Sequence, residues 1–373
     1  MTIAGARLAS DLIACRTENP PGNEAAACEV VARYLREHGL EPQIRELGDG
    51  RANLVLRIPG AGGPGLMLSG HLDVVPADPA GWQSPPFDPT IDGDRLVGRG
   101  STDMKGAVAA MVTACARLAE REETPRGDLV LALTAGEEVD SLGAKQLVRD
   151  GVLDGLAWVV IGEPTGMDVG VGHKGALWVA AEASGVAAHG SQPEMGENAL
   201  VKLLRWLTPV EELDEVVSAP AHPLLGAPTC SVNLLEAGQA PNIVPDRARA
   251  IVDFRTLPGQ AHGGLLIDLG MRAPGVELSL LRDAPGIVTS ADSVLVEAAS
   301  EASEAATGGQ AEPRGLPYVT DGSVFGQALG AEVVLLGPGD EKLAHQADEW
   351  VSLNALETAA TAYHDIADRL LFR

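Results

Sequence analysis

Residues 129–163, LVLALTAGEEVDSLGAKQLVRDGVLDGLAWVVIGE, hold the pattern from which the fold follows. Leu129–Leu133 and Trp158–Ile161 are short, fully apolar and bounded by glycine. Such runs suit strands buried on both faces, as in a parallel sheet. A helix over 141–150 separates them, and strand, helix, strand in that order is a βαβ unit. Carboxylates follow each run: Glu137 and Glu138 after the first, Glu163 after the second. The ends of strands are where open α/β sheets place their active sites.

Upstream, residues 3–15 have helical spacing (Ile3, Leu8, Leu12, Ile13), and a second helix runs from Asn23, a good N-cap, to Gly39, a good stop. Residues 54–56 and 66–68 read as short strands, 76–93 as a Pro-, Gly- and Asp-rich loop, and 104–121 as a helix with Met104, Val108, Met111 and Val112 on its apolar side. Near residue 173 the texture changes. An alternating run over 176–186 suits a half-buried strand, followed by a helix over 198–217, strands at 229–236, 248–256 and 276–282, and a helix at 261–272. These make a small α+β layer, closed by the Pro-Gly stretch at 284–286. A helix at 292–307, a strand at 332–336 and a helix at 352–371 complete the chain. The expected fold is therefore an α/β domain in two pieces, 1–173 and 287–373, with a mostly parallel sheet flanked by helices. A smaller α+β domain, 174–286, is inserted between the pieces.

At roughly 150 residues per domain, 373 residues fit two or three domains, and 45% hydrophobic content is ample for their cores. The net charge of -25 argues against nucleic acid and against docking on anionic membranes. With only 3% aromatic residues, stacking platforms for bases are scarce. The sequence has no apolar run long enough for a membrane span. Its first residues, MTIAGARLASDLIACR, do not read as a signal peptide, because Asp11 interrupts the apolar stretch. Cys15, Cys28, Cys115 and Cys230 are scattered without a CxxC pair, which suits a reduced, cytoplasmic protein with buried thiols.

Other potential ligands fall at comparable places. His71 follows strand 66–69 in SGHLDVVP, Asp103 lies in GRGSTDMKG just before a helix, and His345 follows strand 332–336 in LLGPGDEKLAHQADE. Singly these would be an N-cap, a loop charge or a surface histidine. Together, two imidazoles (His71, His345) and three carboxylates (Asp103, Glu138, Glu163) form the donor set expected around a pair of zinc-like ions. Asp73, two residues after His71, is placed to offer a carboxylate or carbonyl to the imidazole's other nitrogen. Adjacent Glu137 and Glu138 do not both reach one ion, which divides them into a base and a ligand.

The segments GHLDVVP, GWQSPPFDPTIDGDRLVGRGSTDMKG, TAGEEVDSLGA and IGEPT resemble the co-catalytic zinc amidohydrolases and peptidases. That family includes acetylornithine deacetylase, succinyl-diaminopimelate desuccinylase, aminoacylase and glutamate carboxypeptidase. The likeness runs nearly end to end. It implies that His71 and Glu163 hold one divalent metal, Glu138 and His345 the other, and that Asp103 bridges them. Asp73 then orients His71, and Glu137 is the general base. Zinc suits these mixed donors, with cobalt or manganese as substitutes. The 174–286 segment looks like the family's ferredoxin-like lid and dimerisation domain, which implies a homodimer. Within it, His189 in AAHGSQP matches a histidine that reaches a partner subunit's site, and Asn242 and Arg255 match substrate-holding positions.

The implied reaction is hydrolysis of the amide bond of an N-acyl amino acid, a water shared by two cations being the attacking group and Glu137 its base. A dipeptidase or carboxypeptidase on the same scaffold is the second reading. A metal-binding scaffold without turnover is the third, and the presence of Glu137 and every ligand weighs against it. Gly170–Gly175 matches GxGxxG, but an alternating strand follows where a dinucleotide site needs a helix. His38, His173, His222, His262 and His364 lack supporting partners in the sequence and read as surface or structural groups.

Overall fold

The computed structural model describes residues 4–211 and 220–373. The chain divides into two compact units. One comprises Met1–Gly172, Val288–Gly315 and Thr320–Arg373, the other His173–Ile287 and Leu316–Val319.

The first unit is an α/β sheet with helices on both faces. Six strands of its nine-stranded sheet lie side by side in the order Gln43–Gly48, Arg51–Ile58, Gly127–Thr134, Gly63–His71, Leu156–Ile161, Glu332–Leu335. The last four run parallel, and the first two are antiparallel to their neighbours. The sheet is thus mixed, with a parallel centre. Leu54, Leu66, Leu68, Leu129, Leu131, Leu133, Val160 and Val334 share one core with helices Ala4–Ala14, Glu24–Glu37, Gly106–Ala119, Val294–Thr307 and Leu353–Leu371. The alternate residues Met67, Val130, Val159 and Val333 are buried too. They face the opposite side, where Leu142–Arg149 and Gly322–Leu329 pack. Burial on both faces explains why these strands read as unbroken apolar runs.

Register places the site. His71 lies opposite Thr134, and Ser69 lies opposite both Ala132 and Ile161. Three parallel strands therefore end together, and the residues that follow them leave the sheet at one edge. Two glycines let a helix close on that edge. A Cβ at Gly162 would come within 2.8 Å of the Ala107 Cβ and 2.9 Å of the terminal methyls of Met104 and Met111. One at Gly70 would meet the Met104 methyl at 2.7 Å. Gly162→Ala is expected to cost ~1–3 kcal/mol, the range for overpacking a filled core. A fall in the urea midpoint at unchanged slope checks this, and an unaltered midpoint contradicts it.

The helix expected from 104 begins at Gly106. Ser101–Lys105 form a wider turn whose backbone is non-helical at Asp103 and Met104, and Asp103 makes no capping bond. The N-cap interpretation of Asp103 fails on that geometry. Ser293 and Ser352 do cap the helices that follow them, accepting from Val296 and Ala355 N–H. Among the described residues no helix is long and apolar enough to cross a membrane.

The second unit has strands Gly175–Ser184, Thr229–Ala237, Arg247–Thr256 and Val276–Ala284, paired antiparallel in the spatial order second, third, first, fourth. Helices Ala199–Glu211 and His262–Met271 lie between the first and second and between the third and fourth in chain order. This is the ferredoxin-like arrangement. The stretch 212–217, expected to extend the first helix, lies outside the described residues, as does Ile3. Leu177, Val179, Val252 and Phe254 pack with Leu203, Trp206 and Leu269. Gly170–His173 is a strand, followed directly by the strand from Gly175. No helix opens there, so the GxGxxG match is not a dinucleotide loop.

Candidate metal centre

His71 is the last residue of its strand and is 2% exposed. Its Nε2 lies 3.0 Å from Asp103 Oδ1. The other oxygen, Asp103 Oδ2, lies 3.2 Å from His345 Nε2, so one carboxylate stands between two imidazoles. His345 Nε2 is also 3.2 Å from Glu138. Donor atoms of His71, Asp103 and Glu138 all fall within 4.8 Å of one another, a grouping able to hold a metal ion. Glu163 is buried at its strand end and senses the charges of Asp103, His71 and Glu138.

Asp73 acts in two ways. Its backbone carbonyl is 2.9 Å from His71 Nδ1, whereas its carboxylate is 3.7 Å away, too far for a hydrogen bond. The carbonyl thus orients the imidazole. The carboxylate accepts from the backbone N–H groups of Gly136, Glu137 and Glu138 and from Asn19 Nδ2. It fixes the turn that carries both glutamates. Asn53 pins the same turn from the neighbouring strand, its Oδ1 accepting from Ala135 N–H and its amide donating to the Gly143 carbonyl.

Burial sets the electrostatics. It raises Glu137 well above the usual carboxylate range, with the charges of Glu163, Asp321 and Glu138 adding and His71 opposing. It pushes Glu163 to about 8, with Asp103 adding, and raises Glu138 for the same two reasons. His345 is raised for a different reason: hydrogen bonds to Asp103 and Glu138 outweigh its burial and lift it to about 10. For His71, burial disfavours the charge, but Asp103 outweighs it and the pKa stays well above the ordinary value. Asp103 is held low, because its two histidine partners outweigh its burial. This donor set fits divalent cations: mixed imidazole and carboxylate groups, and buried negative charge that a cation offsets. Glu137 Oε1 is buried without a hydrogen-bond partner, as suits a carboxylate reserved for something other than the fold.

His189, Asn242 and Arg255 belong to the second unit. His189 and Asn242 lie on adjoining segments, joined by Gly190 N–H donating to the Asn242 carbonyl. The His189 ring is exposed, its Nδ1 2.7 Å from Ser191 Oγ. Arg255 is half-buried beside Asp253, at 3.0 Å. His262, which had no partner legible in the sequence, has two: Thr256 Oγ1 at 2.7 Å and Asp283 Oδ1 at 2.6 Å. It is a buried structural link between strand and helix.

Sequence reasoning missed Glu349, Arg99 and Asp321. Glu349 is fully buried beneath the Asp103 turn, paired with Arg99. Asp321 is buried, accepts from Thr134 Oγ1 at 2.7 Å, and is raised by that burial. None of them follows an apolar run, the signal that marked His71, Glu138, Glu163 and His345.

The sequence profile of peptidase family M20/M25/M40 matches residues 67–369. The chain belongs to this family. A probable succinyl-diaminopimelate desuccinylase of Staphylococcus epidermidis is 31% identical, with 96% of each chain covered. An acetylornithine deacetylase of Aliivibrio salmonicida is also 31% identical, over 88% of this chain and 86% of its own. A crystal structure of an M20 family metallo-carboxypeptidase from Sulfolobus solfataricus has a TM-score of 0.82 over 99% of both chains, at 20% identity, a likeness of fold. As a member of the M20 family the chain is a hydrolase with a candidate metal-binding group.

Proposed function

We propose that this chain hydrolyses the amide bond of an N-acyl amino acid with two divalent metal ions, zinc by the nature of its donors. His71 and Glu163 would hold one ion and Glu138 and His345 the other, with Asp103 contributing to both. The observation that carries this reading is Asp103 standing between His71 and His345, together with the buried, unpartnered Oε1 of Glu137. Bound cations supply Lewis acidity and lower the pKa of a water from 15.7 towards about 7. Through its unpartnered oxygen, Glu137 would take a proton from the attacking water and return it to the departing amine. Asp73 keeps the turn of Glu137 and the ring of His71 in place. The inserted domain, 174–286, serves as lid and dimerisation domain, with Arg255 and Asn242 gripping the substrate's carboxylate or backbone. His189 completes a partner subunit's site. The enzyme works in the cytoplasm, consistent with its free cysteines.

The relatives named desuccinylase and deacetylase favour an acyl amino acid over a peptide. A panel of N-succinyl-diaminopimelate, N-acetylornithine, N-acyl-lysine and dipeptides tests this directly. A deacylase turns over one of the first three at least tenfold faster in kcat/KM than any dipeptide, and the reverse order would make it a peptidase. Chelator is expected to abolish turnover and zinc or cobalt to restore it. Hydrolysis that survives complete metal removal, or no hydrolysis at all by the loaded protein, overturns the reading.

A further inference from the structure

Glu349 and Arg99 lie outside the donor set, yet they join the two loops that carry its central residues. The Glu349 side chain is fully buried and accepts four hydrogen bonds. Its Oε1 takes Thr102 N–H at 2.8 Å and Asp103 N–H at 3.0 Å, and its Oε2 takes Gly100 N–H at 3.0 Å and Arg99 Nη1 at 2.6 Å. Arg99 continues across the gap. Its Nη1 also donates to the Gln346 carbonyl at 3.1 Å, and its Nη2 reaches towards the His345 carbonyl at 3.4 Å. Thr102 adds a bond from its hydroxyl to the Trp350 carbonyl at 2.6 Å. The backbone of Asp103 is thus held by Glu349, and that of His345 and Gln346 by Arg99, through one ion pair.

The physical consequence follows from what each loop must do. Asp103 has a non-helical backbone and His345 a left-handed one, with φ of 63°. Neither conformation belongs to regular structure, so neither is maintained by a strand or helix ladder. Fixed donors and acceptors must hold them instead. A carboxylate that accepts the N–H groups of Gly100, Thr102 and Asp103 does this for Asp103. A planar guanidinium with donors in a fixed fork does it for the His345 loop.

We propose that Glu349 and Arg99 are positioning residues that set the spacing of Asp103 and His345, and through it the affinity of the centre for its second metal ion. This rests on the proposed metal-dependent function.

The experiment measures metal binding apart from turnover. Zinc or cobalt is titrated calorimetrically into metal-free wild type, Glu349→Gln and Arg99→Lys, and the visible spectrum of each cobalt-loaded protein is recorded. Gln keeps the size of Glu349 but presents an amide N–H₂ to backbone donors. Lys keeps the charge of Arg99 but has a single ammonium where the fork spans two loops. The weaker site is expected to lose about 10–100-fold in affinity in both variants, the range for residues that orient ligands. The cobalt spectrum is expected to change, and kcat to recover largely at saturating metal. Wild-type affinities and an unchanged spectrum in a folded variant overturn the proposal. Should Glu349→Gln fail to fold, Arg99→Lys decides, since it leaves a cation beside Glu349. Failure of the functional reading itself looks different: the wild type then binds no ion.

Discussion

Glu137→Gln is expected to lower kcat by roughly 10²–10⁴, the contribution of a positioned general base, while the protein still binds its metal ions. The substitution is nearly isosteric, and the backbone N–H of Glu137 remains on the Asp73 carboxylate at 3.1 Å. What it removes is a proton acceptor on an oxygen that has no other partner. The same change has a second, opposite effect. Burial raises the Glu137 pKa well above its ordinary 4.5. A group raised on folding contributes its stability below its unfolded pKa and loses it as pH climbs through the folded value. Metal-free wild type therefore weakens as pH rises above about 4.5 from this group, and the neutral glutamine does not share that slope. At neutral pH the metal-free variant should melt higher than wild type while being nearly inactive, the trade of stability for activity expected at a working site. Kinetics, metal content and paired melting curves at two pH values read all three. A variant with near-wild-type kcat removes Glu137 from the chemistry.

His71, Glu138 and Glu163 were legible in the sequence for one reason. The strands before them are buried on both faces, so their ends are sharply marked, and in a parallel sheet such ends gather at one edge. Helical spacing and terminal cap and stop residues located the helices Glu24–Glu37, Val294–Thr307 and Leu353–Leu371 to within two residues of their observed ends. Where no apolar run announced itself, the reading was blank. Gln43–Gly48 is a partly exposed edge strand with charged residues. Thr90–Asp92, Arg95–Val97 and Trp350–Ser352 form a sheet of three-residue strands, too short for periodicity to register. Gly322–Leu329 contains two glycines and lacks a capping side chain. Glu349 and Arg99 were missed because their meaning lies in a contact across 250 residues of chain, which no local pattern encodes. Asp73 was found by spacing, but spacing could not tell its carbonyl from its carboxylate. The distances of 2.9 and 3.7 Å to His71 do.

Asp103 carries the second large expectation. Its two oxygens separately face His71 at 3.0 Å and His345 at 3.2 Å, Glu138 approaches His345 at 3.2 Å, and Glu163 feels the charges of Asp103 and His71. Asp103→Ala takes away the only side chain that touches both imidazoles among the described contacts. It should reduce bound metal from two ions per chain towards one, with activity falling beyond the roughly 10–100-fold that removal of an outer partner costs. Loss of the fold is a lesser concern, because the Asp103 N–H stays on Glu349 in the variant. Asp103→Asn separates charge from contact, since it keeps one oxygen but not the negative charge that lifts His345. In metal-free protein the His345 pKa, about 10 with both Asp103 and Glu138 as partners, should fall towards 6.5, and histidine ring signals followed across pH would register it. The sign is that of a base raised on folding. Its stabilisation is complete below 6.5 and vanishes as pH passes through about 10, and that alkaline loss should shrink in the asparagine variant. His345 is half exposed, so solvent screens the pair and the shrinkage will be modest. Elemental analysis of dialysed protein decides the main point. Two ions per chain retained by Asp103→Ala would show that this carboxylate does not bridge, and would leave His71 and His345 serving separate purposes.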